Sequence, residues 1–142
     1  MTVTTVNLNE QIQRLNLNSN EFIIMGSGIL QALNIRNSND IDLVVPINTF
    51  EKLKKHPSLR LKCRDNHDSL YGEDIEIFTS WTISGESKMF NEIIKDSVII
   101  NGLRYASLEL TQTMKQADAR PKDLQDIRLI KEYLRKQSNN LA

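Results

Sequence analysis

Two aspartates separated by one aliphatic residue are the first feature of this sequence that could do chemistry. Asp40-Ile41-Asp42 leads into the aliphatic stretch Leu43-Val44-Val45, which is typical of a buried strand. Successive side chains on a strand point to opposite faces, so Asp40 and Asp42 project together while Ile41 turns into the core. Two carboxylates held this close repel each other, and a hard divalent cation such as magnesium relieves that repulsion. On its own the motif is weak, since two exposed acids on an edge strand would give the same pattern.

A third carboxylate follows on a separate predicted strand. The segment from Asp74 to Phe78 alternates acids with apolar residues, which places Glu76 on the face opposite to the isoleucines. Asp74 shares that face two residues earlier. Pairing of this strand with the strand of Asp40 and Asp42 would complete a triad of acids. Glu76 is the first candidate for the third position and Asp74 is the alternative.

A glycine-serine turn precedes the acids in the chain. Gly26-Ser27-Gly28 separates a short apolar strand, Phe22 to Met25, from a helix predicted to begin near Ile29. Ser27 would then lie at a helix N-terminus, where backbone N–H groups and the positive end of the helix dipole favour a phosphate. The glycines allow a ligand to approach the backbone closely. The simpler interpretation is that Ser27 only caps the helix.

The order of these motifs resembles the polymerase-beta superfamily of nucleotidyltransferases. That pattern consists of Gly-Ser, a helix, an acid-aliphatic-acid strand and a later single acid, here Gly26-Ser27, Asp40-Ile41-Asp42 and Glu76. The segment Arg36 to Val45 (RNSNDIDLVV) is similar to the approach to that strand in small bacterial members, which include antibiotic and toxin-antitoxin-associated nucleotidyltransferases.

The end of the chain extends the resemblance. Gly102 to Tyr133 is similar to a segment in which a lysine-bearing helix precedes an Arg-Pro-Lys-Asp turn and a final helix. Lys115, Arg120, Lys122 and Asp123 occupy these positions. The similarity therefore covers the chain from about Phe22 to Tyr133.

The resemblance implies an enzyme that transfers a nucleoside monophosphate from a triphosphate, such as ATP, to an acceptor hydroxyl. Two magnesium ions would bridge the acids and the triphosphate. The residues that it assigns to catalysis and metal binding are Asp40, Asp42 and Glu76. Those that it assigns to the nucleotide are Gly26, Ser27, Arg36, Lys115 and Arg120. Glu76 would also accept the proton of the acceptor, although glutamate departs from the commoner aspartate at this position.

Several of these residues also have an ordinary structural interpretation. Exposed lysines and arginines are usually solvated, so Lys115, Arg120 and Arg36 could be surface residues. Lys122 and Asp126 are one helical turn apart, which a surface ion pair would explain. Trp81 and Tyr71 flank the strand of the third acid and could stack on a base, but packing is the commoner role of a single aromatic residue.

Three classes of function are compatible with the sequence. The leading one is the nucleotidyltransferase, whose acceptor could be a small molecule, a protein or an RNA. The second is a nucleotide-binding module without catalysis, such as a toxin-antitoxin partner or a regulatory subunit. The third is a structural α+β domain whose acids are coincidental. Little protein is left to enclose an acceptor, so a homodimer could supply the missing wall.

Composition limits the remaining possibilities. With 142 residues, 39% hydrophobic and 25% charged, we expect one globular domain over 1–142, with 1–6 and 137–142 frayed. Eighteen basic residues balance eighteen acidic ones, so no overall field attracts nucleic acid or membrane. Cys63 is the single cysteine, which excludes an internal disulfide. Neither a signal peptide nor a spanning segment is predicted, which favours a cytoplasmic protein.

The remaining patterns predict an α+β fold, with a mixed sheet flanked by helices and two helices closing the chain. Residues 59–63 alternate leucines and Cys63 with basic residues, as in a strand covered on one face. Residues 65–72 and 80–87 read as loops, and 88–95 as a brief helix. Ser107 can cap the first closing helix and Pro121 suits the start of the second. The inward residues of that last helix are predicted as Leu124, Ile127, Ile130 and Leu134.

Overall fold

A mixed seven-stranded sheet forms the centre of the computed structural model, which describes residues 7–63 and 67–141. The strands are β1 (Ile23–Met25), β2 (Ile41–Val44), β3 (Arg60–Cys63), β4 (Asp68–Gly72), β5 (Ile75–Phe78), β6 (Ser80–Ile83), β7 (Glu86–Met89), β8 (Ser97–Ile100) and β9 (Leu103–Ala106). The helices are α1 (Leu8–Leu15), α2 (Gly28–Ala32), α3 (Ile47–Leu53), α4 (Phe90–Ile93), α5 (Leu108–Asp118) and α6 (Pro121–Leu141), with a 3-10 turn over Ile94–Asp96. The predicted α+β class with two closing helices is confirmed.

The order of the strands brings the acid-bearing segments together at the middle of the sheet. The order is β3-β4-β5-β2-β1-β9-β8, and β6 pairs only with β7 in a separate hairpin. β2 runs parallel to β5 and β1 runs parallel to β9, while the other pairs are antiparallel. The strand that leads into the Gly-Ser turn, β1, is therefore the neighbour of β2, the strand with the aspartate pair.

Each face of the sheet is covered by its own apolar cluster. One cluster packs α1, α2, α3 and residues of α6 against alternate residues of the central strands, such as Ile24, Leu43 and Ile77. The other packs α4 and α5 against the opposite face, through Met25 and Val44, with Trp81 and other partly buried residues at its margin. Side chains of β1 and β2 therefore alternate between two cores, as expected for strands buried on both faces.

Two segments predicted as loops are strands. Residues 68–72 form β4, where Ser69 is fully buried and Leu70 is 1% exposed. Residues 80–89 form the β6–β7 hairpin, and α4 starts only at Phe90, so the helix predicted over 88–95 is shorter. Polar residues obscure the period-two pattern of these strands. The strands are stabilised more by pairing with their neighbours than by alternation of apolar residues.

The first sheet edge and the last helix also differ from the predictions. All four residues of β3 are exposed, so the expected covered face is absent, and Leu61 is 47% exposed. Leu124 and Leu134, which were predicted to face inward, are 53% and 38% exposed. Asp123 and Asp126 are buried instead, on the same face of α6 as Ile127 and Ile130.

The ends of the chain bear on the fraying that the sequence predicts. α6 is helical to Leu141, and the fraying predicted from residue 137 stays a prediction. The predictions for residues 1–6, for positions 64 and 65, and for the final residue lie outside the described ranges. Over residues 7–63 and 67–141, no helix combines the length and the apolar character needed to cross a bilayer.

Candidate active site

Three carboxylates come together where β2 and β5 run side by side. Asp42 is the direct register partner of Glu76 on the parallel neighbour strand, and Asp40 precedes β2 on the same side of the backbone. Ser69 of β4 fixes Glu76 by donating a hydrogen bond of 2.7 Å from its Oγ to Glu76 Oε2. This bond explains why a fully buried serine is found in a strand that the sequence presents as a polar connection.

Asp74, the alternative third acid, has a different role in the backbone. It lies in the turn before β5 with a φ of 61°, in the left-handed region. Its carbonyl oxygen accepts a hydrogen bond of 2.8 Å from the Ile41 N–H, which ties the turn to the start of β2. Its exposed side chain borders the acids, while Glu76 is the one in register with Asp42.

The environment of Asp42 disfavours its charged form. Burial raises the pKa of Asp42 to about 6, and the nearby charges of Glu76 and Asp40 add to the rise. Lys122 acts in the opposite direction. Among the described residues, neither Asp40 nor Asp42 has a cationic side chain within ion-pairing distance. The aspartate pair in this cluster of carboxylates is therefore not neutralised by an ion pair of the described residues.

The Gly-Ser turn faces this cluster. Gly26 has a φ of 64°, a conformation that side chains with a Cβ rarely adopt, and a Cβ there would lie 3.5 Å from Asp42 Oδ2. Gly28 has another reason to be glycine, since a Cβ would collide with Ile24. The first glycine supplies the turn and the second lets α2 pack closely on β1.

Ser27 does not cap α2, so the simpler interpretation of this residue is wrong. Its side chain makes no capping hydrogen bond to the helix. Its Oγ instead accepts hydrogen bonds from Arg36 Nη2 at 2.8 Å and from Lys115 Nζ at 3.2 Å. Two cations from distant segments therefore converge on the serine of the turn.

Asp126 of α6 binds both of these cations. It is 3% exposed, and its carboxylate receives Arg36 Nε at 2.6 Å, Arg36 Nη2 at 2.8 Å and Lys115 Nζ at 2.9 Å. Burial raises the pKa of Asp126, but the hydrogen bonds from Arg36 and Lys115 outweigh burial and hold it below its usual range. The predicted surface pair of Lys122 with Asp126 is therefore wrong, because Asp126 points into the molecule.

Asp123, one turn earlier on α6, repeats this arrangement with Arg120. It is fully buried and accepts from Arg120 Nε at 2.7 Å and from Arg120 Nη2 at 3.2 Å, while Lys115 Nζ lies 3.8 Å away. The hydrogen bonds to Arg120 lower the pKa of Asp123 against the opposing effect of burial. Arg120 also lies 4.0 Å from Asp118, so three cations and three carboxylates meet in this network.

These groups line one cleft of about 680 Å³, a volume within the usual range of ligand sites. Its walls include Gly26, Ser27, Arg36, Asp40, Asp42, Trp81, Lys115, Arg120, Lys122 and Asp126. A second cleft of about 310 Å³ is lined by Asp40, Asp42, Lys62, Tyr71, Asp74 and Glu76, among others. The two clefts share the aspartate pair.

The structure thus brings seven of the eight predicted site residues to the larger cleft and places Glu76 at the smaller one. Sequence reasoning missed Ser69, named Asp123 only as part of the Arg-Pro-Lys-Asp turn, and interpreted Asp126 only as a surface partner of Lys122. The two aspartates carry a readable signal, since they are acids in phase with the buried Ile127 and Ile130 of α6. An acid at a core position needs a cationic partner, and that rule could have identified them.

Within the described ranges, no group of three or more histidine, cysteine or acidic side chains could hold a metal ion by itself. The carboxylates therefore form a partial set of oxygen ligands. An ion at this position would need further oxygens from another molecule.

Comparison with known proteins bears on the fold. No family model matches the chain, and no curated protein matches it in sequence. A crystal structure of ANT(2")-Ia, an aminoglycoside nucleotidyltransferase, in complex with adenylyl-2"-tobramycin is similar over 93% of this chain and 92% of that one. The TM-score is 0.53 and the sequence identity is 16%. The fold is nucleotidyltransferase-like.

Proposed function

We propose that this protein transfers a nucleoside monophosphate from a nucleoside triphosphate to an acceptor hydroxyl, with magnesium as the cofactor. The observation that supports this proposal most is the shared position of Asp40 and Asp42 between two clefts. One cleft has a cationic network and the other contains Glu76. In-line transfer needs the leaving group and the attacking oxygen on opposite sides of the reacting phosphorus. The larger cleft would hold the leaving group, and the smaller cleft would hold the attacking oxygen.

The larger cleft suits the triphosphate. Arg36 and Lys115 meet at Ser27, and both also donate hydrogen bonds to Asp126. Charge-assisted hydrogen bonds from such groups to phosphate oxygens are short and strong. Because Asp126 already holds both cations, little side-chain entropy is lost when a phosphate binds. These residues would hold the leaving pyrophosphate part of the nucleotide.

The acids fit a magnesium ion that arrives with the nucleotide. Magnesium usually takes one or two protein carboxylates and completes its shell with waters and substrate phosphates. Asp40 and Asp42 would supply the protein ligands, with Glu76 as the third, and the raised pKa of Asp42 reflects charge that a cation would neutralise. When bound, the ion would stabilise the charge that develops on the phosphoryl oxygens.

The transfer itself exchanges one phosphorus-oxygen bond for another. The acceptor oxygen forms a bond to the α-phosphorus, the bond from that phosphorus to the bridging oxygen breaks, and pyrophosphate leaves. The proton of the acceptor hydroxyl passes to Glu76, which borders the smaller cleft. The hydrogen bond from Ser69 fixes the orientation of Glu76 for this task.

A transfer assay with labelled triphosphates tests the proposal. The protein is incubated with magnesium, each triphosphate labelled at the α-phosphorus, and candidate acceptors that include RNA, proteins and small alcohols. Tobramycin is a reasonable first small molecule, since the structural neighbour was crystallised with its adenylylated form. We expect label on one acceptor, and at least about 100-fold less with Asp40→Asn or Asp42→Asn.

A matched pair of variants tests the third acid. Glu76→Gln should reduce transfer strongly, while Asp74→Asn should reduce it only slightly, because Asp74 lies in the turn and outside the register of Asp42. A larger loss of transfer in Asp74→Asn than in Glu76→Gln would assign the role of the third acid to Asp74. Magnesium-dependent binding of triphosphate without transfer to any acceptor would favour the non-catalytic nucleotide-binding module.

A further inference from the structure

The cleft of the triphosphate has one aromatic residue in its lining. Apart from Trp81, the lining consists of charged and polar side chains, Gly26 and Leu129. A nucleoside triphosphate carries a flat, apolar ring system besides its phosphates, and such rings gain free energy by stacking on aromatic side chains. We infer that Trp81 is the surface on which the nucleobase of the donor stacks. The inference rests on the proposed function.

Trp81 is held in place before any ligand binds. It lies on β6, where it is the register partner of Lys88 on β7, and its ring meets Phe78 edge-on at 5.3 Å with an interplanar angle of 87°. It also packs at the margin of the second core cluster while remaining partly exposed. A ring fixed by these contacts loses little conformational entropy on binding, so stacking on it is favourable.

Trp81 also lies next to the groups that would hold the phosphates. Gly26, Lys115 and Arg120 line the large cleft with Trp81, and the same three residues and Trp81 border a smaller recess of about 60 Å³. The indole is therefore a neighbour of the Gly-Ser turn on one side and of α5 on the other. A nucleotide whose phosphates reach Ser27 has this ring within the same cleft.

The other aromatic residue near the acids belongs to the smaller cleft. Tyr71 is 39% exposed and lines the smaller cleft together with Glu76 and Lys62. It is the register partner of Glu76 on the antiparallel neighbour strand. Tyr71 therefore faces the acceptor, whereas Trp81 faces the donor. Stacking tolerates every base, so Trp81 binds the base as a class and selects weakly among the four.

The sequence provides a direct probe, because Trp81 is the single tryptophan of the chain. Indole emission is recorded while a nucleoside triphosphate is added in the presence of magnesium and without acceptor. Inorganic tripolyphosphate, which has the phosphates and lacks the base, is the matched control. We expect quenching with the nucleotide and little change with tripolyphosphate, while calorimetry shows that both bind.

Variants separate stacking from general damage to the fold. Trp81→Leu should weaken nucleotide binding by roughly 5- to 100-fold and leave tripolyphosphate binding unchanged. Trp81→Phe keeps an aromatic ring and should restore most of the affinity. Tyr133→Leu alters a partly buried aromatic residue at the first core cluster. This variant should leave the affinity for both ligands unchanged.

The outcomes distinguish this inference from the proposed function. Equal loss of both ligands in Trp81→Leu, or nucleotide binding with no more quenching than tripolyphosphate gives, would overturn the role of Trp81 and leave the proposed function standing. Failure of the wild-type protein to bind any nucleoside triphosphate would overturn both.

Discussion

Two groups of acids in this molecule contain carboxyls whose pKa values shift in opposite directions. Asp42 shares its surroundings with Asp40 and Glu76, and its pKa rises to about 6. Asp126 is only 3% exposed, and burial alone would raise its pKa, yet its pKa falls because Arg36 and Lys115 donate hydrogen bonds to it. The difference lies in the partners that the fold supplies. The acids of α6 are neutralised by cations of the protein, whereas Asp40 and Asp42 have no ion-pair partner among the described residues.

The largest effect should come from breaking the neutralised group. Asp126→Ala leaves Arg36 without its ion-pair partner and Lys115 with only Asp123, at 3.8 Å. Removal of one partner from a buried pair costs about 3–5 kcal/mol. Urea unfolding measures this change in the free energy of unfolding. Asp118→Ala is the control, because that side chain is 62% exposed and lies 4.0 Å from Arg120. A cost for Asp126→Ala no larger than for Asp118→Ala would show that the network is not what stabilises α6.

An opposite sign is expected for Asp42. Asp42 has a folded pKa of about 6 against an ordinary value of 3.8, so the folded state binds more protons between these values. Stability is therefore lost as pH rises through this window, and the cost is complete above pH 6. Without magnesium, Asp42→Asn should raise the free energy of unfolding by about 2 kcal/mol at pH 7.5.

The pH series provides the check on this prediction. The gain in the free energy of unfolding from Asp42→Asn should shrink as pH falls from 6 and vanish below about pH 4. At that pH the Asp42 carboxyl of the wild-type protein is protonated in both the folded and the unfolded state. Asp40→Asn, at an exposed position, should stabilise less. Destabilisation by Asp42→Asn at pH 7.5 without magnesium would mean that a protein group already neutralises Asp42.

Both groups could be anticipated from the sequence to different degrees. The β2 acids were predictable because alternation along a strand fixes the face of each side chain, and Ile41 and Leu43 mark the buried face. The burial of Asp126 could be predicted from its position on the apolar face of α6. Its partner Arg36 could not be predicted, because Arg36 is distant in the chain. Which acid pairs with which cation depends on the packing of α5 and α6, and no local pattern encodes that packing.

The same distinction explains the errors in the fold. β4 was missed because its buried Ser69 is polar, and its burial depends on a hydrogen bond to Glu76 of the next strand. Trp81 and Ile83 were too few to reveal the β6–β7 hairpin among polar residues. In each case the stabilising partner lies on another element, so the local sequence gives an incomplete signal.

The smallest effect should come from the turn that faces the two groups. Gly26→Ala places a Cβ 3.5 Å from Asp42 Oδ2, which leaves room, so its cost is the left-handed backbone, about 1–2 kcal/mol. Gly85→Ala is a matched control, with a φ of 83° and open space around its Cβ. Both should lower the melting temperature similarly, while only Gly26→Ala should reduce transfer. Equal transfer in the two variants would remove the Gly26 turn from the site.

The identity of the bond that breaks in the triphosphate tests the central claim most directly. The protein is incubated with magnesium and a triphosphate labelled at the α-phosphorus, with water as the acceptor when no other is known, and the released fragments are identified. Nucleotidyl transfer predicts pyrophosphate release, with the label on a monophosphate or an acceptor, and its loss in Asp42→Asn. Release of orthophosphate with the label on a diphosphate, or equal pyrophosphate release from Asp42→Asn, would contradict it.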